Sequence, residues 1–115
     1  MKKALCLSLF AFGAAFAQTP SFAAGPEIRT TKCIYITGKS VKTNVPCTVK
    51  VYARAKSATE EWEWDNGTRT VVKMSDKGIS VNGREAEERN ASKVTDMEAY
   101  CYGIKATDEV YCWGK

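Results

Sequence analysis

The chain has 115 residues, 44 % of them hydrophobic and 26 % charged, with 17 basic and 13 acidic side chains and no histidine. That length bounds it to one domain with a modest core. The missing histidine removes the usual general base of hydrolytic triads, and the formal charge of +4 is too small to argue for nucleic acid.

The amino end reads as an export signal. Met1-Lys2-Lys3 is a short positive segment, and an apolar run from Ala4 to Phe16 follows it, broken only by Ser8 and Gly13. The run is too short for the roughly 20 residues that span a bilayer as a helix. Small residues then stand at cleavage spacing, in Ala15-Phe16-Ala17 and in Ser21-Phe22-Ala23. The second site is preferred, because the first leaves almost no polar spacer and Pro20 suits one. Cleavage after Ala23 predicts a periplasmic or secreted product. No cysteine follows the run as a lipoprotein would need, and no later stretch is apolar enough to insert in a membrane.

Removing residues 1–23 leaves 115 − 23 = 92 residues and takes Lys2 and Lys3 away. The balance becomes 15 basic against 13 acidic, or +2, again too even to argue for nucleic acid or an anionic surface. Cys6 goes with the signal, so five cysteines become four: Cys33, Cys47, Cys101 and Cys112. In a short exported chain these read as two disulfides, with three connectivities open. A metal site would want CxxC spacing or histidines, so neither a metal nor a cofactor is expected.

In chain order, residues 24–31 read as a loose leader and 32–115 as the folded domain. Cys33–Thr37 is rich in β-branched and aromatic residues and stops at Gly38-Lys39, a turn. A short extended piece follows at Ser40–Thr43. From Cys47 to Arg54 the chain alternates, with Cys47, Val49, Val51 and Ala53 on one face and Thr48, Lys50, Tyr52 and Arg54 on the other. Glu60–Met74 holds Asn66-Gly67 between two alternating runs, the strongest short hairpin cue. A two-residue loop there pairs Trp64 with Arg69, Trp62 with Val71 and Glu60 with Lys73. Ser75–Gly78 is a turn, Ile79–Val81 a short strand, and Asn82-Gly83 a second tight turn. Arg84–Asn90 is charged with little apolar period and reads as a loop or one exposed helical turn.

Ala99–Ile104 and Glu109–Trp113 close the chain as a last hairpin. If Ile104 faces Glu109, Cys101 stands opposite Cys112, within disulfide range, and Tyr100, Tyr102, Ile104, Tyr111 and Trp113 share the other face. That register favours the local pairing, Cys101 with Cys112 and Cys33 with Cys47. The result is an all-β domain, an antiparallel barrel or sandwich of six to seven short strands with two disulfides.

Pro46-Cys47-Thr48-Val49, Trp62–Gly67, Val81–Ala86 and Cys101–Trp113 together resemble the pattern of small exported bacterial β-domains with two cysteine pairs. The resemblance spans most of the mature chain. It implies fold and compartment and carries no activity.

Candidate sites are few. Lys50, Arg54 and Lys56 with Tyr52 form either a basic stripe or simply the wet face of a half-exposed sheet. Trp62, Trp64 and Trp113 suit either an aromatic platform or a core that needs large side chains. Trp62, Trp64, Arg69, Lys50, Tyr52 and Arg54 make up the candidate binding surface. Glu61 with Glu63, and Glu85, Glu87 and Glu88, are carboxylate groups of the kind glycosidases use, but nothing suggests the cleft such chemistry requires. Asn66-Gly67-Thr68 and Asn90-Ala91-Ser92 match a glycosylation pattern and are taken as chance. The expected function is a non-catalytic protein-binding or inhibitory module of the cell envelope, its partner an envelope or extracellular protein. A structural or accessory envelope protein is the alternative, and a saccharide-binding module or glycosidase comes third.

Overall fold

Strands with one apolar face must bury that face, and here they do so by closing on one another. The computed structural model describes residues 25–115, so the export signal expected over 1–23 and its cleavage sites lie outside the described residues. Eight strands follow: β1 (Glu27–Thr37), β2 (Ser40–Ala53), β3 (Ser57–Trp64), β4 (Arg69–Ser75), β5 (Gly78–Val81), β6 (Arg84–Arg89), β7 (Ala99–Ile104) and β8 (Val110–Gly114). Each pairs antiparallel with the next. β8 returns to β1, from Cys33 beside Trp113 to Ile36 beside Val110, which makes the sheet a closed barrel.

Two stretches of strand exceed the expectation. Glu27–Thr31, read as part of a loose leader, pairs with Cys47–Val51. The side chains of Glu27–Thr30 are exposed, so this stretch shows no apolar alternation; backbone pairing with the long β2 orders it. Ser40–Thr43 is likewise the first part of β2 and not a separate piece. The eighth strand is β6. Only Ala86 of its residues is buried, which is why its charged sequence looked like a loop or a helical turn. Arg89 of β6 lies flat across β7, and Gly103 makes room for it: a Cβ there would stand 2.5 Å from the guanidinium carbon.

The hairpin of β3 and β4 exists, but its register differs by one residue from the expected one. Glu63 faces Arg69, Trp62 faces Thr70, Glu61 faces Val71 and Glu60 faces Val72. The loop has three residues. Gly67 N–H donates to the Trp64 carbonyl (3.0 Å) and Trp64 N–H to the Thr68 carbonyl (2.9 Å), a type I turn closed by a glycine bulge with Gly67 at φ 89°. Burial explains the choice. A two-residue loop would turn Arg69 and Lys73 into the barrel with the tryptophans, whereas the observed register buries Thr70 and Val72 and leaves both cations exposed. The second Asn-Gly does form the two-residue turn with positive φ at both positions, Asn82 at 50° and Gly83 at 82°. The last hairpin has the expected register, with Cys101 opposite Cys112.

Both disulfides form, Cys33–Cys47 and Cys101–Cys112, with Cα separations of 5.7 and 4.1 Å. They serve different sides of the wall. Cys33 and Cys47 pack in the barrel interior with Val49, Trp62, Trp64, Val72, Val81, Tyr102, Ile104 and Trp113. Cys101 and Cys112 pack outside it with Ile34, Ile36 and Val110, beneath Ala91, Val94 and Met97 of the β6–β7 crossover. That crossover contains one short 3-10 turn, Ala91–Lys93, capped by Asn90.

Candidate functional site

The interior is filled by side chains. Trp62 is fully buried and Trp64 nearly so, which removes both from the candidate binding surface and gives them to the core. Their polar edges are satisfied inside. Trp64 Nε1 donates to Thr70 Oγ1 (2.9 Å), while Trp62 Nε1 and Trp113 Nε1 both donate to Glu60 Oε1 at 3.0 Å. The Tyr102 hydroxyl donates to Glu60 Oε2 at 3.2 Å. Burial first, and then the Glu60 charge, push the Tyr102 phenol far above the ordinary tyrosine range. One buried carboxylate thus takes hydrogen bonds from three aromatic side chains on β3, β7 and β8. Sequence reasoning missed this, placing Glu60 opposite Lys73; the alternation of Glu60 with Trp62 and Trp64 was the available signal.

The remaining members of that candidate surface stand on the outer wall, Lys50 and Tyr52 on β2, Arg54 just past its end and Arg69 at the start of β4. Lys50 and Tyr52 are half-buried, and Arg54 and Arg69 are exposed. Glu61 gathers some of them: Arg69 Nη2 lies 3.4 Å from Glu61 Oε1, and the Tyr52 hydroxyl donates to it at 3.5 Å. Glu63 stands on β3 and Glu85, Glu87 and Glu88 on β6, with β4 and β5 between them. Among the described residues no group of three metal-ligating side chains converges.

The open end of the barrel that bears the four tight hairpin turns is built differently. The β1–β2, β3–β4, β5–β6 and β7–β8 turns all lie there, since consecutive antiparallel turns alternate between ends. Several are held by side chains. Asp108 accepts from the Gly38 N–H (2.8 Å) and the Thr37 hydroxyl (3.0 Å), tying the first turn to the last. Asn66 Oδ1 accepts from Thr68 N–H, and Asn82 Oδ1 from Val71 N–H. Inside this rim, Tyr35 and Tyr111 meet with ring centroids 5.0 Å apart. Arg84 Nη2 lies 2.5 Å from Glu109 Oε1 and donates to the Tyr111 hydroxyl at 3.3 Å. A small cleft of about 180 Å³ opens beside them, lined by Tyr35, Thr43, Trp64, Asn66, Thr68 and Tyr111.

The electrostatics of the rim hold its ionisable groups in their neutral-pH forms. The hydrogen bond from Arg84 holds the Glu109 carboxyl below the usual carboxylate range, although burial opposes it. Burial, reinforced by the Glu109 charge, holds the Tyr35 and Tyr111 phenols above theirs. A carboxylate kept ionised and phenols kept protonated do not exchange protons near neutrality. Together they offer fixed donors, fixed acceptors and two aromatic edges. Larger hollows lie on the outside of the wall. One, about 670 Å³, runs beneath the β6–β7 crossover between Glu88, Arg89, Glu98, Tyr100 and Lys115, with mixed charges.

No protein-family model, no curated protein and no solved structure matches the chain.

Proposed function

We propose that the chain is an exported, non-catalytic protein-binding module of the bacterial envelope that meets its partner through the rim of hairpin turns. The observation that carries this reading is the rim itself: turns pinned by Asp108, Asn66 and Asn82 around Tyr35, Tyr111 and Arg84. Tyr and Arg dominate binding hot spots, and a surface already held in place loses little entropy on docking. The interior packed with Trp62, Trp64, Tyr102 and Trp113 supports the same reading, since it gives those aromatic side chains to the core. Two disulfides suit an oxidising compartment, and no helix among the described residues is long and apolar enough to cross a membrane. In this reading residues 1–23 are a signal peptide removed after Ala23, and the resemblance to exported two-disulfide β-domains belongs to the same proposal.

Site-specific photo-crosslinking in the periplasm tests it. Probes at the exposed turn residues Asp65 and Ala106 on the rim are expected to give a discrete protein adduct, and probes at Ser80 and Glu87 on the wall are not. Adducts of equal yield at rim and wall, or none at the rim, would overturn the proposal. Inhibition of lysozyme by the purified mature chain tests the inhibitory form. No effect at micromolar concentration removes that form and leaves an accessory role.

A further inference from the structure

The mature net charge of +2 conceals a strong asymmetry. From Glu27 to Lys56 the chain carries seven basic residues and one acidic, a net of +6; from Ser57 to Lys115 it carries eight basic and twelve acidic, a net of −4. The barrel turns this division along the chain into a division around the molecule, because β1 and β2 are adjacent staves and form one sector of the wall. Glu27, the sector's one acidic residue, is already paired to Arg29. Lys32, Lys39, Lys42, Lys50, Arg54 and Lys56 stand in no ion pair among the described residues. Lys50 is half-buried and the other five are exposed. Elsewhere on the wall β3 carries only acidic residues, β4 only basic ones and β6 both, so the basic excess over two adjacent strands is greatest at β1 and β2.

The same sector holds two of the three large exposed hydrophobic residues among those described, Ile28 (59 % exposed) and Val41 (54 %). Both face outward: Ile28 pairs with Lys50, whose neighbours Val49 and Val51 turn inward, and Val41 pairs with Ile36 of the outer cluster. β2 has 14 residues, roughly 45 Å of extended strand. Lys32, Lys50 and Ile28 thus share the uncovered stretch of this stave pair, while Val41 and Lys42 lie beyond the β6–β7 crossover, which covers Ile34 and Ile36 and brings Asp96 beside Val41. The acidic remainder would be repelled from an anionic surface and so would orient the barrel.

We infer that the outer face of β1 and β2 is a peripheral docking surface for an anionic phospholipid bilayer, held by its lysines and by shallow burial of Ile28, without insertion of a span. The barrel would then lie on its side against the membrane, with the rim of hairpin turns projecting along it. This inference stands independently of the proposed protein contact at the rim.

Co-sedimentation of the mature chain with vesicles tests it. Binding is expected to vesicles containing phosphatidylglycerol and not to phosphatidylcholine alone, and it should fall steeply as salt rises. Lys32→Ala/Lys42→Ala/Lys50→Ala should weaken binding about a hundredfold, from roughly a factor of five for each charge near the surface. Lys73→Ala/Lys77→Ala/Lys105→Ala changes the net charge equally and should leave it within about threefold. All six lysines are on strand exteriors or turns, and unchanged melting curves would show that both variants fold. Equal loss in the two triple variants would mean that net charge and not this face is read. Equal binding to both lipids, or none to either at low salt, would overturn the inference. Loss of a protein crosslink in the first variant with no vesicle binding by the parent would assign the face to an acidic protein instead.

Discussion

At the residue scale, Glu60 has the most consequence. Its carboxylate is the common acceptor for Trp62, Trp113 and Tyr102, so one side chain satisfies the polar edges of three large core residues. Losing it would leave three buried donors unpaired, each costing about 1–3 kcal/mol. Glu60→Leu is therefore expected to destabilise the mature domain by at least about 3 kcal/mol in denaturant unfolding. Glu60→Gln keeps an oxygen for the two indoles and should cost about 1 kcal/mol. Equal costs would mean that the network contributes shape and not hydrogen bonding. The two Asn-x-Ser/Thr triplets also find their reason at this scale. Asn66 Oδ1 accepts from Thr68 N–H and Asn90 Oδ1 from Ser92 N–H, each a side chain closing a turn two residues on. Their spacing is that of an Asx turn, which gives both triplets a structural role in this chain.

At the scale of elements, hairpins differed in how much of them could be read. The last one was legible down to the register, because its two cysteines have to meet and only one alignment lets them. The first Asn-Gly hairpin was legible as a hairpin but not in register. Turn chemistry permitted two loop lengths there, and the decision came from which residues of β4 the barrel could bury. Gly67 adopts positive φ in the three-residue loop, as it would have in the two-residue one. Gly67→Val is accordingly expected to destabilise the domain by about 2 kcal/mol through backbone strain alone, since no atom stands within 4 Å of the position a Cβ would take. An unchanged melting temperature would contradict the turn geometry. β6 was not legible, because an outward-facing strand with one buried alanine has no period to detect; its pairing with β5 and β7 makes it a strand.

At the scale of the whole molecule, pH should act on both flanks of stability. Glu109 titrates below its ordinary value in the folded chain, so its contribution is complete above about pH 4.3, its unfolded value, and is lost as pH falls through the folded one. Tyr102 and Tyr111 titrate above theirs, so their contribution is complete below about pH 10 and is lost as pH rises beyond it. Melting temperature is expected to be flat between these limits and to fall outside them. Arg84→Ala should flatten the acid limb and Tyr102→Phe the alkaline one; limbs that do not respond would place the titrating groups elsewhere. The all-β class, the two disulfides and the inward face of β2 were determined by the sequence alone, because alternation, turn residues and cysteine spacing are local. Closure of β1 on β8, the register of β3 with β4, the Glu60 network and the basic sector of β1 and β2 were decided only by the tertiary structure. Each depends on which residues distant in the chain share one side of a wall, and that follows from burying the whole set of strands at once.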